Sequence, residues 1–187
     1  MTLNRRYTFL ALSLCVGASL LLNPPTLAQS HCSPAGSIQC MNRELQMNPG
    51  DMGLVLSLAQ AYEQRNQYDN ALGYYSRYLR ENPQDLGISL RAGQTAMKAE
   101  NFLAAERYFK KALQIDPNKS ELYYHLGAIQ THMNRYDEAI NYYLKALQIN
   151  PDDTATLANI GQAYLKSDQA QKAVVSLYRA AELDNGN

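Results

Sequence analysis

Two histidines, His125 and His132, are the first candidates for metal or proton-transfer chemistry in this sequence. On a helix, their separation in the chain places them about 10 Å apart along the axis. Joint ligation of one ion by two histidines of a helix uses the closer i, i+4 spacing. We therefore interpret both as polar groove or surface residues, and the sequence predicts no metal site.

Adjacent carboxylates occur at Asp137-Glu138 and at Asp152-Asp153. Both pairs are expected in turns at helix starts, where capping and the helix dipole favour acidic side chains. The sequence pairs no nucleophile with a base and has no phosphate-binding loop. We therefore predict a protein that is not an enzyme and that takes neither a cofactor nor a small-molecule substrate.

The amino-terminal residues 1–28 are typical of an export signal. Arg5 and Arg6 give a positive start, and residues 7–22 form a nearly unbroken apolar run. That run is shorter than the roughly 20 residues that a membrane span needs. Small residues before the site predict cleavage after Ala28, with export to the periplasm, a lumen or the cell exterior. The alternative is an uncleaved segment that anchors the protein to a membrane.

Export also bears on the cysteines. Cys15 would leave with the signal, so the mature chain would keep Cys32 and Cys40. An even pair in an oxidising compartment favours a disulfide, which the loop-entropy estimate credits with roughly 2.6 kcal/mol. Two free thiols are the alternative. The spacing is not C-x-x-C, so nothing indicates a redox catalyst.

The charge balance argues against nucleic acid as a partner. Seventeen basic residues match seventeen acidic ones, and loss of Arg5 and Arg6 leaves fifteen (17 − 2) against seventeen. Binding to nucleic acid draws most of its affinity from clustered Lys and Arg, and no stretch of this sequence clusters them.

The chain repeats itself at a fixed period. From residue 41 onward its prolines are Pro49, Pro83, Pro117 and Pro151, each 34 after the last. Fixed places within the period carry small residues, which predicts pairs of helices packed with their backbones close together. These places hold Ala59, Gly93, Gly127 and Gly161, and then Ala71, Ala105, Ala139 and Ala173. We expect the turns between paired helices at Asn66, Asn101, Asn134 and Asp168, and N-caps at Asp51, Asp85, Ser120 and Asp153 or Thr154.

These residues resemble the tetratricopeptide repeat family, which has small residues at the eighth and twentieth places and a proline at the thirty-second. The resemblance runs from residue 52 to residue 187 and implies an all-α solenoid with repeats at 52–85, 86–119, 120–153 and 154–187. In the preceding segment, 29–51, residues 38–48 match the register of a second helix and predict a capping half-repeat. Ser89, Tyr78 and Asn185 depart from the family pattern.

The resemblance further implies a non-catalytic adaptor or assembly factor that binds protein or peptide partners, including membrane-associated complexes. In this family the first helices line a concave face that takes a partner peptide. For Leu56 and Leu90, burial in the inner packing is an equally strong interpretation. The positions carried over to this sequence are Leu56, Gln60 and Glu63; Leu90, Gln94 and Met97; Tyr124, Ala128 and Thr131; Ala158, Gln162 and Leu165.

The last helix offers a second surface. Val174, Leu177, Tyr178 and Ala181 form an i, i+3, i+4, i+7 stripe. Since solenoids generally need polar ends, an apolar stripe on a terminal helix predicts self-association or the docking of a partner.

Overall fold

The structure is a computed structural model that describes residues 37–185. All the regular secondary structure in this range is helical, without strands, which confirms the predicted all-α class. Every helix but the first and the last is 13 or 14 residues long. The helices are α1 Ile38–Met47, α2 Met52–Gln64, α3 Tyr68–Glu81, α4 Leu86–Lys98, α5 Phe102–Ile115, α6 Ser120–His132, α7 Tyr136–Ile149, α8 Thr154–Lys166 and α9 Ala170–Asn185.

Helices α2 to α9 form four helix-turn-helix pairs that stack in chain order. Each helix packs chiefly on its partner in the pair and on the neighbouring helix of the next pair, and α1 packs on α2. Contacts confined to sequence neighbours are characteristic of a solenoid. The fold prediction is therefore confirmed.

The small residues of the period let the paired helices approach closely. A Cβ added to Gly127 would lie 2.6 Å from the ring of Tyr143, and one added to Gly93 would lie 2.7 Å from Phe109. Both rings are buried. Each glycine thus makes the space into which a large side chain of the partner helix inserts.

The turns between paired helices place one residue in the left-handed region, always at the same repeat position. Its φ lies between 55° and 58° at Asn66, Glu100, Asn134 and Asp168. Asn101 lies between paired helices, as expected, but it is not the left-handed residue of its turn. It instead caps α5 by accepting a hydrogen bond from the backbone of Ala104.

The N-caps follow the prediction at Asp51 and Asp85, whose carboxylates accept hydrogen bonds from backbone N–H groups in the first turns of the following helices. Ser120 is already helical, and α6 begins after Lys119. The prediction of Ser120 as an N-cap was therefore wrong by one residue.

Helix α1 closes the amino-terminal side of the solenoid, as predicted for a capping half-repeat. Its N-cap Ser37 accepts a hydrogen bond from the backbone of Cys40. Ile38, Met41 and Leu45 are buried against α2 in one apolar cluster. The apolar face of this half-repeat is thereby removed from water.

The predicted signal at 1–28, its cleavage site at Ala28, and Cys32 lie outside the described residues. Cys40 is disulfide-bonded, and its pairing with Cys32 remains a prediction. Within residues 37–185, no helix is long and apolar enough to cross a membrane.

Candidate functional site

A groove lies along the inner side of the first helices α4, α6 and α8, with one lining residue, Tyr143, from α7. Its cavity has a volume of about 550 Å³, within the range of protein ligand sites. Equivalent turns of successive first helices supply the lining, because the repeat presents the same helix face once in every period. Among the predicted positions, the groove brings together Gln94, Met97, Tyr124, Ala128, Thr131 and Gln162.

Other predicted positions lie outside the cavity. Leu56 packs on the core cluster around Tyr75, and Leu90 packs on the one around Phe109. For these two leucines the geometry agrees with inner packing. Gln60 is half-buried and Leu165 is exposed, and neither lines the cavity. The register places a residue on the inner face, but side-chain size and neighbours decide whether it reaches the groove.

Both histidines line the groove through stacking that the sequence analysis did not foresee. The ring of His125 stacks on Phe109 with centroids 4.7 Å apart, and that of His132 stacks on Phe102 at 4.9 Å. In each case the phenylalanine belongs to the preceding repeat. The sequence could have indicated that both histidines lie near the groove, because each follows a predicted groove position, Tyr124 or Thr131, by one residue on α6.

Hydrogen bonds between repeats fix the polar lining. Asn159 Nδ2 donates to the hydroxyl of Tyr124 over 3.1 Å. The amide of Gln94 approaches Glu121 Oε1 at 3.5 Å and His125 Nε2 at 3.4 Å. Each contact joins first helices of neighbouring repeats, so Gln94, His125, Tyr124 and Asn159 are held in place before any partner arrives.

A charged cluster lies at the amino-terminal side of this groove. Glu63 accepts hydrogen bonds from Arg91 at 2.9 Å, from Lys98 at 3.1 Å and from Tyr75 at 2.9 Å. Burial raises the pKa of Glu63, but the hydrogen bonds from Lys98, Tyr75 and Arg91 outweigh it and leave the pKa below its usual value. Glu63 is therefore ionised at neutral pH, and its carboxylate is already bonded to the three neighbouring side chains.

Burial also fixes the protonation of two groove residues. It lowers the pKa of His125 despite the nearby carboxylate of Glu121, so this ring is neutral at pH 7. Burial raises the pKa of Tyr143 to about 12, and its hydroxyl stays protonated beside that of Thr131, 3.2 Å away. The groove presents hydroxyl, amide and imidazole groups rather than a poised acid and base.

Within the described residues, no group of three or more His, Cys, Asp or Glu side chains is placed to hold a metal ion. Two carboxylates at the start of α8 are bonded within the protein. Asp153 accepts a hydrogen bond from the hydroxyl of Thr156, and Asp152 lies 2.8 Å from Arg179 of α9. The arrangement offers binding contacts.

The predicted stripe on α9 divides into two parts. Val174 and Tyr178 are 64% and 65% exposed, and Ala181 is exposed as well. Leu177 instead packs against Gly161 of α8. Leu177 occupies the knob position of Phe109 and Tyr143 and is half-buried, so it contributes less to the open part of the stripe than the other three residues do. We call Val174, Val175, Tyr178 and Ala181 the α9 surface.

Comparison with known families identifies the repeat. Four models of the tetratricopeptide repeat match residues 52–95, 87–119, 120–153 and 142–175. A comparison with curated proteins finds no match.

Solved structures share the fold. A crystal structure of MamA matches with a TM-score of 0.73 and 21% identity, covering 82% of this chain and 90% of that one. MamA 41-end from Desulfovibrio magneticus RS-1 matches with a TM-score of 0.71 and 17% identity, covering 80% and 85%. At these identities the likeness shows a common solenoid fold.

Proposed function

Because the chain belongs to the tetratricopeptide repeat family, whose members are typically protein-interaction scaffolds, we propose that it is an adaptor or assembly factor that holds an extended segment of a partner protein in its groove. The observation that carries this proposal is the lining of the cavity. Amide and hydroxyl groups from three repeats converge there beside apolar and aromatic surface.

This lining suits a peptide backbone. An extended segment carries unpaired N–H and C=O groups, and the amides of Gln94 and Gln162 both donate and accept hydrogen bonds. Met97 and the ring of Tyr124 supply apolar contacts for its side chains. Since bonds between repeats already orient the lining, less side-chain freedom is lost on binding.

The test is a selection of random peptides displayed on phage, followed by affinity measurements. Selected peptides should lose binding at least tenfold to the double variant Gln94→Ala, Tyr124→Ala. The matched control is Tyr123→Ala, Gln148→Ala, which removes the same residue types outside the groove and should leave binding unchanged. Equal loss in both variants, or none in either, would reject the groove as the site.

We place this activity in an exported compartment on the strength of residues 1–28. Amino-terminal sequencing of native material tests this part separately. A start near Gln29 is expected. An intact Met1 would mean that the segment is kept, as in a membrane-anchored assembly factor.

A second candidate function is self-association through the α9 surface. Val174 occupies the repeat position that holds Leu72 in the first repeat, Glu106 in the second and Ile140 in the third, and the two apolar residues among these are only 8% and 7% exposed. Light scattering over a concentration series should show a mass above that of the monomer, and Tyr178→Asp should abolish it. A monomer at every concentration would dismiss this function.

A further inference from the structure

Basic side chains recur at one position of three successive repeats. Lys98, His132 and Lys166 each lie in the last turn of a first helix, at the same place in the period, and all three are exposed. Lys98 and His132 line the groove, and the repeat register places Lys166 one step further along the same edge. We call these three residues the basic row.

On the groove side the basic row meets no acidic side chain, because none of the described residues that line the groove is acidic. On its other side, Lys98 borders a second cavity together with the acidic residues Asp69 and Glu100. Glu63 lies beside Lys98, but Arg91 and Lys98 set two positive charges against its single carboxylate. Glu121 lies 3.5 Å from Lys119, which offsets its charge locally.

The helix dipole gives a simpler reason for the two lysines of the row, since it favours cations at any helix C-terminus. It does not require that they face the groove, and the equivalent residue of the first repeat is the uncharged Gln64. Lys98 and His132 therefore lie at the cavity, and Lys166 extends the row by one repeat.

Resting on the proposed function, we infer that the groove selects an acidic extended segment of its partner, with carboxylates set along the basic row. First helices of neighbouring repeats are close enough to exchange side-chain hydrogen bonds. At the spacing of about 10 Å that is typical of packed helices, a polyproline II chain covers the distance in about three residues, which is one turn, so every third side chain points the same way. Acidic side chains at every third residue would each meet one member of the row. The amides of Gln94 and Gln162 would bind the backbone between them.

The probes are two fluorescein-labelled synthetic peptides of Pro and Ala, one with Glu and one with Gln at every third place. Fluorescence anisotropy should show at least tenfold tighter binding of the Glu peptide, reduced by raised NaCl. Lys98→Gln and Lys166→Gln should each weaken it about three- to fivefold, the size of an exposed ion pair. Lys166→Glu should regain affinity for a peptide whose facing Glu is replaced by Lys.

Lys145→Gln is the matched control, because it removes the same charge from the exposed side of α7 and should leave affinity unchanged. Equal affinity for the Glu and Gln peptides, or no binding of either, would overturn the inference. So would preferential binding to phosphatidylserine vesicles. Displayed peptides that depend on Gln94 and Tyr124 but show no acidic bias would overturn it while leaving the proposed function intact.

Discussion

The two terminal helices of the described chain, α1 and α9, hold equivalent places in the repeat but differ in how much apolar surface they expose to water. Each is a second helix packed on one side only. In α1 the apolar residues Ile38, Met41 and Leu45 all face the solenoid, and its outer side is polar apart from Met47. In α9, Val174 and Tyr178 face water. The same helical position thus acts as a closed cap at one side and as an apolar surface at the other.

The largest predicted effect tests this contrast. Met41→Ala should lower the free energy of unfolding by about 2–4 kcal/mol, because Met41 is fully buried and its removal leaves a cavity. Val174→Ala should change it by less than about 0.5 kcal/mol, as expected of an exposed site. Urea unfolding of both variants measures this, and similar losses would show that α9 is covered as α1 is.

The next predicted effect compares the packing inside two helix pairs, the third and the fourth, instead of the two terminal helices. Gly127→Ala should cost about 1–3 kcal/mol, because its Cβ would meet the rigid, buried ring of Tyr143. At Gly161 the facing side chain is Leu177, which is half-buried and adjusts more easily. Gly161→Ala should therefore cost less than about 1 kcal/mol, since alanine's better helix propensity offsets part of the clash. Thermal unfolding of the two variants ranks them, and the reverse order would contradict this account.

Much of the fold follows from the sequence, because the repeat constrains every unit in the same way. Prolines and small residues at fixed places predicted the helix pairs, and the register of residues 38–48 predicted the cap. Few alternative packings of the paired helices are possible, because the ring of Tyr143 fits only where the facing residue, Gly127, has no side chain.

The site was less predictable, because register selects a helix face but not the reach of each side chain. Leu90 and Gln94 both occupy inner positions, yet only the amide reaches the cavity. The stacking of His125 on Phe109 depends on contacts between repeats that no single repeat encodes. The left-handed residue of the second repeat escaped prediction for a related reason: asparagine is the residue expected there, and this repeat uses Glu100.

That exception gives the smallest predicted effect. Glu100 adopts φ 55°, a region that asparagine tolerates better than glutamate. Glu100→Asn should therefore raise the free energy of unfolding by about 0.5–1 kcal/mol, and the reciprocal Asn66→Glu should lower it by a similar amount. Asn66 also accepts a hydrogen bond from the hydroxyl of Tyr68, so Tyr68→Phe serves as the control that separates that bond from backbone strain. Urea unfolding gives the three values, and no gain at residue 100 would show that its turn is relaxed with glutamate in place.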